Sequence, residues 1–361
     1  MNKKLIRIID AMKEAAIPQI IVTDTYSIGY ILGKYIHTGE RMKALYINEN
    51  GETKLFMNRL FPITEDLGTD IVWFDDIDDA ASILASHIDH EKTLGVDKTF
   101  ASGFLIRMME EGAAASYVNG SPIVDGVRLV KDEDEREKMR AASKINDKVM
   151  KRMVSLVGCG DSEELLTAKC HELYKENGCA GASFPPIISF GKNAADPHHE
   201  GDGTLPKRGD CVVIDIGGLK DGYCSDMTRT VFLGEVSDRA REIYEIVLEA
   251  NRRGIKAAKP GARMCDVDNA ARGYITEKGF GKYFTHRTGH SMGTEVHEFG
   301  DVSSVNEAII KPGQCFSVEP GIYIAEENIG VRIEDLVLIT EDGCEVLNSY
   351  TKELTVVPFE G

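Results

Sequence analysis

The chain has 361 residues, 42% of them hydrophobic and 28% charged, which is ordinary for a globular protein and long enough for two domains. A formal net charge of -17 and a pI near 5.0 repel phosphate backbones, so no nucleic-acid partner is expected. No stretch approaches the roughly 18 apolar residues of a membrane span, and Asp10, Lys13 and Glu14 interrupt the apolar residues behind Lys3 and Lys4 before a signal-peptide core forms; a cytoplasmic protein without a membrane partner is expected.

Residues 1 to about 125 alternate short apolar runs with helix-like stretches, and 19–22, 44–47 and 71–73 carry the strand pattern. This predicts an N-terminal α/β domain over 1–125. The mixed-charge run 131–138 leads into Met139, Ala142, Ile145, Val149, Met153 and Leu156, spaced three and four apart, so an amphipathic helix opens a second domain over 126–361. Asp161 with Glu164 predicts a capping box on the next helix, and Gly178 its end. Helices follow over 237–253 and 266–278, and strands over 211–216, 225–232, 314–319 and 330–339. The second domain is therefore read as α+β, with antiparallel hairpins. Eight cysteines lie scattered without a C-x-x-C pair and are read as reduced thiols, Cys211 and Cys224 packing within strands.

Chemistry concentrates in the second domain. Asp215 and Asp226 flank the turn signal Asp221-Gly222, which predicts a hairpin. A loop at 220–221 sets the two carboxylates directly opposite, and one at 221–222 sets them diagonally; either register points both the same way. Two such charges repel unless a cation neutralises them, although two exposed acids beside a turn would explain the pair taken alone. Glu319 and Glu334 stand among apolar strand residues, unfavourable places for a free carboxylate. His290 offers a nitrogen, where a lone histidine is more often structural. His286 lies four residues before it, but no Glu follows His286 and Gly289 and Gly293 argue for a loop, which speaks against a zincin. Four carboxylates and one imidazole make a hard ligand set that favours Mn²⁺ over a thiolate zinc site. Two such ions roughly 3.5–4 Å apart can share and activate a water.

These residues sit in segments that resemble the M24, or pita-bread, metallopeptidases, in the branch of aminopeptidase P and prolidase. The segments are Asn193-Ala-Ala-Asp-Pro-His-His199, Val213-Ile-Asp-Ile-Gly-Gly218, Gly222-Tyr-Cys-Ser-Asp-Met-Thr-Arg-Thr230, Gly289-His-Ser-Met-Gly-Thr-Glu-Val-His-Glu298, Ser317-Val-Glu-Pro-Gly-Ile-Tyr323 and Gly330-Val-Arg-Ile-Glu-Asp335. The likeness spans the chain, weakly in the N-terminal domain, where Ser27-Ile-Gly-Tyr-Ile-Leu-Gly33 resembles an early motif, and strongly from about residue 185.

The resemblance implies a creatinase-like N-terminal domain, a pita-bread catalytic domain and commonly a homodimer. It also implies two divalent ions, Mn²⁺ foremost with Co²⁺, Fe²⁺ or Zn²⁺ as alternatives, held by Asp215, Asp226, His290, Glu319 and Glu334, with Asp226 and Glu334 bridging. A metal-bridging water then cleaves the bond between an N-terminal residue and a following proline. Glu319 doubles as general base, His297 contacts the scissile carbonyl, and His198 lines the substrate pocket, with His199 one residue away as the alternative register. Arg332 orients the carboxylates as a neighbouring cation.

Four positions depart from the family pattern. Asp301 stands where prolidases often carry an arginine for the dipeptide carboxylate, which tilts the expectation from prolidase towards aminopeptidase P and longer Xaa-Pro peptides. Ser291 replaces a common glycine, and Phe299-Gly300 a proline-containing stretch. Creatinase-like and non-catalytic binding members of the fold lack the five ligands found here, and methionine aminopeptidases lack the N-terminal domain; a non-catalytic peptide binder remains as the reading from a different class.

Overall fold

The structure is a computed structural model and describes residues 2–359. It divides into two compact units, 1–128 and 129–361.

In the first unit, strands β1 (Gln19–Val22), β2 (Ala44–Asn48), β3 (Thr53–Asn58), β4 (Asp70–Phe74), β5 (Thr93–Val96) and β6 (Ser116–Asn119) form a six-stranded sheet in the order β4-β3-β2-β1-β5-β6. The β1–β2 and β2–β3 pairs are antiparallel, and β3–β4, β1–β5 and β5–β6 are parallel. Side chains alternate between the faces as the strand period requires. Ile20, Val22, Leu45, Ile47, Leu55 and Met57 pack with helices α1 (Lys3–Glu14), α2 (Thr25–Leu32) and α5 (Ser121–Leu129). Ile21, Ala44, Tyr46 and Phe56 pack with α3 (Ala80–Ala85) and α4 (Ser102–Glu110). A sheet covered on both faces by helices is the α/β arrangement expected.

The second unit opens with α6 (Glu133–Leu156), whose buried stripe includes Met139, Ala142, Val149 and Met153. A capping box falls here, between Asp132 and Glu135, inside the mixed-charge run 131–138. At α7 (Glu163–Glu176) the expected Asp161–Glu164 box is absent: Ser162 caps the helix by accepting from the Leu165 amide, and Asp161 pairs with Lys169. Serine at the N-cap satisfies the same orphan amide that the box would have served. Helices α8 (Asp238–Ala257) and α9 (Met264–Glu277) lie against each other in a shared apolar cluster.

The strands of this unit form short ribbons, antiparallel except for the β12–β20 pair. β8 (Ile187–Phe190), β9 (Cys211–Ile216), β12 (Met227–Leu233) and β20 (Val356–Val357) form one sheet in the order β20-β12-β9-β8. β7 (Gly181–Ala182), β10 (Gly218–Lys220) and β11 (Tyr223–Cys224) form another. β13 (Gly289–His290) pairs with β14 (Asp301–Val302), and β16 (Gly321–Ile324) with β17 (Ile329–Arg332). β15 (Cys315–Val318), β18 (Asp335–Ile339) and β19 (Cys344–Val346) complete the set.

On β9, Val212, Ile214 and Ile216 face α6 and α7, while Cys211 and Val213 face α8 and α9. Alternation therefore sends Asp215 to the α8–α9 face. The strand expected over 330–339 breaks at Ile333-Glu334, because β17 follows β16 and β18 follows β15 into a different ribbon. The eight cysteines are free, with Cys159 exposed; Cys211 and Cys224 are buried in core clusters as expected. Among the described residues no helix is long and apolar enough to cross a membrane.

Candidate metal centre

The hairpin that carries the first two acids turns at Asp221-Gly222, both with positive φ (50° and 79°), the signature of a two-residue type I′ loop. Thr228 pairs with Asp215 across β9 and β12, so Asp226 is the diagonal neighbour of Asp215 on the same face. Of the two registers open in the sequence, the structure adopts the diagonal one.

Glu334 sits in the break between β17 and β18, and Thr228 holds it twice. The Thr228 hydroxyl donates to Glu334 Oε2 at 2.7 Å, and the Glu334 amide donates to the Thr228 carbonyl at 3.1 Å. Arg229, buried, locks the break from behind by donating to the Glu334 carbonyl and to Asp335. Neither Thr228 nor Arg229 was assigned a role from the sequence, because their partners lie more than 100 residues away.

His290 and Glu319 are brought together by Ser317. Its hydroxyl accepts from the His290 amide at 3.0 Å and donates to Glu319 Oε1 at 3.1 Å, while the Glu319 amide donates to the Thr288 carbonyl. This approach needs a glycine: a Cβ on Gly289 would lie 1.9 Å from the Ser317 carbonyl oxygen. A second support comes from α9, where Asp268 accepts from Thr288 and Arg272 donates to the carbonyls of Phe284 and His286.

The structure thus places donor atoms of Asp226, His290 and Glu334 within 4.8 Å of one another. His290 Nε2 lies 3.7 Å from Asp226 Oδ2 and 3.4 Å from Glu319 Oε1. Asp215 joins through Arg332, whose Nη2 donates to Asp215 Oδ2 at 2.6 Å and whose Nε donates to the Thr228 hydroxyl at 3.1 Å. The other nitrogen, Nη1, donates to the Tyr323 hydroxyl at 2.8 Å, which in turn reaches His286 Nε2 at 2.9 Å.

The electrostatics of this cluster demand cations. Burial, and then repulsion from Glu334, raises the Asp226 carboxyl well above its ordinary range; burial, and then Glu319, does the same to Glu334. Glu319 is pushed up to about 7, first by burial. His290 goes the other way: burial, with His297 alongside, lowers its imidazole to about 3, so the ring is neutral. Its contacts with Asp226 and Glu319 are then not ion pairs. With Nδ1 directed at the Ser291 carbonyl at 3.4 Å, Nε2 presents its lone pair to the carboxyl oxygens. Among the described residues, Asp215 Oδ1, Asp226 Oδ1 and Glu334 Oε1 are buried without a hydrogen-bond partner. Buried polar atoms are otherwise nearly always paired. Four carboxylates against one guanidinium, with three orphaned oxygens and one free imidazole lone pair, fit divalent cations.

His297 stands at the rim, exposed on one side, with its ring edge-to-face on His290 at 4.3 Å between centroids. Loss of solvent on the packed side lowers its pKa, which favours the neutral ring. His198 is exposed on the loop after β8 and lies outside the cluster; the Pro197 carbonyl beside it accepts from Arg332 Nη1 at 3.4 Å. His199, the alternative register, is committed elsewhere, to Glu163 at 2.8 Å. Asp301 is half-buried and its carboxylate accepts from Asn306 at 3.3 Å. Arg287, which the sequence reading passed over, is exposed beside this site; its guanidinium makes no hydrogen bond or ion pair among the described residues, and its charge reaches His290, His297 and Glu319.

Residues 137–341 match the family model for metallopeptidase family M24, and residues 4–130 match that for the creatinase/prolidase N-terminal domain. The Xaa-Pro dipeptidase of Pyrococcus furiosus is 33% identical over 356 residues, covering 98% of this chain and all of the relative. The crystal structure of a prolidase from Thermococcus sibiricus superposes with a TM-score of 0.93 at 31% identity, covering 99% of this chain and 100% of that one. An X-Pro aminopeptidase from Thermotoga maritima superposes at 0.82 with 29% identity, covering 96% and 100%. These similarities turn the preference drawn from Asp301: they favour the dipeptidase alternative over aminopeptidase P.

Proposed function

The chain belongs to metallopeptidase family M24, and on that premise we propose that it is an Xaa-Pro dipeptidase, a prolidase that releases proline from the C-terminal side of an N-terminal residue. Its second unit is the pita-bread catalytic fold of that family and its first the creatinase-like domain. The observation that carries the metallopeptidase chemistry is the buried, charge-unbalanced cluster with three orphaned carboxylate oxygens. The preference for dipeptides draws its support from the full-length similarity to dipeptidases.

Asp215, Asp226, His290, Glu319 and Glu334 would hold the ions, and the oxygen-rich set favours Mn²⁺. Two divalent ions held there would polarise the attacking water and the scissile carbonyl. The Glu319 carboxylate would take a proton from that water and pass it to the proline nitrogen; the water oxygen bonds to the carbonyl carbon and the C–N bond breaks, leaving a carboxylic acid and the secondary amine of proline. The neutral His297 ring donates an N–H to the carbonyl oxygen as negative charge builds on it. His198 lies against the substrate near the cleaved bond. Arg332, fixed by Thr228 and Tyr323, holds Asp215 with one oxygen free for the metal.

A dipeptide brings a free carboxylate that needs a cation. Asp301 cannot supply one and is engaged by Asn306, whereas Arg287 offers an uncommitted guanidinium at the same rim. Proline lacks the amide N–H on which other peptidases rely, so a dedicated pocket is physically reasonable. The reading is tested by comparing kcat/KM for Xaa-Pro dipeptides and Xaa-Pro-Xaa tripeptides after stripping the protein and restoring Mn²⁺, Co²⁺, Fe²⁺ or Zn²⁺. Faster dipeptide turnover is expected. Equal or faster tripeptide turnover would return the assignment to aminopeptidase P, and no turnover with any ion would leave a peptide-binding member of the fold.

A further inference from the structure

Outside the metal cluster, a heavily hydrogen-bonded buried carboxylate is that of Glu163, the first residue of α7, which is 0% exposed. It accepts from the Phe190 amide at 2.7 Å, from the Asn193 side-chain nitrogen at 3.1 Å, from His199 Nε2 at 2.8 Å and from the Asp202 amide at 3.2 Å. The backbone adds two bonds: the Glu163 amide donates to the Thr204 carbonyl, and the Glu164 amide to the Asp202 carbonyl. Beside a carboxylate acceptor, His199 Nε2 must carry the hydrogen. The N-terminal turn of α7 further favours a negative charge at this point.

Donor atoms of Glu163, His199 and Asp202 lie within 4.8 Å of one another, a spacing that also suits a cation. Their bonding argues otherwise. Both Glu163 oxygens are taken, and Asp202 Oδ1 accepts from the Thr204 amide at 2.7 Å. The cluster is already satisfied by N–H donors, so its work is to fix the segment 190–204.

That segment carries His198, and the fixed points bracket it. On one side the Pro197 carbonyl accepts from Arg332, which holds Asp215; on the other the His199 ring is held by Glu163. The His198 amide itself donates to Asp196 Oδ1 at 3.0 Å. We infer that Glu163 is a positioning residue for the proposed reaction: through His199, Asn193 and the Asp202 amide it holds the loop that presents the exposed His198 imidazole to the substrate. The inference rests on the reading that His198 contacts the peptide.

The test is a double-mutant cycle on the full chain loaded with Mn²⁺, using an Xaa-Pro dipeptide that wild type hydrolyses, with Glu163→Gln and His198→Ala singly and together. Glutamine keeps the shape but turns an amide nitrogen towards N–H donors. Misplacement of about 1 Å can cost up to about a hundredfold, so Glu163→Gln is expected to lower kcat/KM by tenfold or more with metal content at the wild-type value. In the His198→Ala background the same change is expected to cost less than about twofold, since the group it positions is gone. An equal loss in both backgrounds, or no loss in the first, overturns the inference while leaving His198 in its role. A harmless His198→Ala would instead sink the reading of His198 and the inference with it. If Glu163→Gln fails to fold, His199→Gln, which removes only the partly exposed anchor, takes its place in the cycle with the same outcomes expected.

Discussion

Arg332 Nη2 lies 2.6 Å from Asp215 Oδ2, and both side chains are buried. The bond occupies one oxygen of Asp215 and turns the other, Oδ1, into the cluster without a partner. Arg332 is itself fixed by the hydroxyls of Thr228 and Tyr323. A lysine cannot reproduce this three-way fork. Arg332→Lys is therefore expected to weaken metal binding or activity by about 10- to 100-fold without unfolding the chain, a scale typical of residues that orient ligands. Mn²⁺ titration of the variant against wild type checks it; unchanged affinity and turnover would mean Asp215 needs no such support.

Removing the proton carrier separates binding from chemistry. Glu319→Gln keeps an oxygen donor but takes away the base, and kcat is expected to fall by about 10²- to 10⁴-fold. Single-turnover measurements at saturating Mn²⁺, with metal content determined on the same sample, show whether the loss lies in catalysis. Near-wild-type kcat would remove Glu319 from the proton path.

Metal-free protein carries a pH signature. The Glu319 carboxyl is pushed up to about 7 from an ordinary 4.5, and Asp226 and Glu334 are also raised, all first by burial. The native state then holds more protons than the unfolded chain between about pH 4.5 and 7, so this cluster's contribution to stability falls as pH rises through that window. Metal binding must expel those protons, so affinity rises with pH over the same range. Denaturant midpoints of chelator-treated protein are expected to drop from about pH 5 to about pH 7.5 by more in wild type than in Glu319→Gln. A drop of the same size in both would show that Glu319 is not among the groups responsible.

Substrate choice is expected to run through Arg287. Arg287→Gln should raise KM for Xaa-Pro dipeptides roughly tenfold, the scale of a lost charge-assisted hydrogen bond, and leave the corresponding Xaa-Pro amides unaffected. Equal effects on acid and amide would place the guanidinium away from the substrate carboxylate.

Close packing at Gly289 gives a prediction about the fold. A Cβ there would meet the Ser317 carbonyl oxygen at 1.9 Å, and backbone cannot move aside cheaply. Gly289→Ala is expected to cost more than about 2 kcal/mol in chemical denaturation and to weaken metal binding by parting His290 from Glu319. Wild-type values for both would show that the two strands separate freely.

What the sequence disclosed follows from the range of the forces involved. Asp215 and Asp226 were legible because a local turn signal fixes their common face, and Glu319 and Glu334 because a carboxylate amid apolar residues needs an explanation; His290 was legible only through the motif that carries the family resemblance. The split of 330–339 at Glu334 was not legible: the apolar run continues through it, and only pairing with two different partners, β16 and β15, breaks it. The capping box at Asp132 and Glu135 was hidden in a charge run whose spacing, read for caps, would have revealed it. Glu163 drew no reading from the sequence, because its partners lie 27 to 39 residues along the chain. The tilt drawn from Asp301 rested on its charge alone. Folding engages that carboxylate with the Asn306 side chain, five positions along the chain.

The central claim is that Asp215, Asp226, His290, Glu319 and Glu334 together hold two divalent ions. Anomalous scattering at the manganese edge, from crystals of the full chain grown with Mn²⁺, tests it most directly. Two peaks are expected among these five side chains, with Asp226 and Glu334 touching both. Anomalous density elsewhere, or none within the cluster at saturating Mn²⁺, would contradict it.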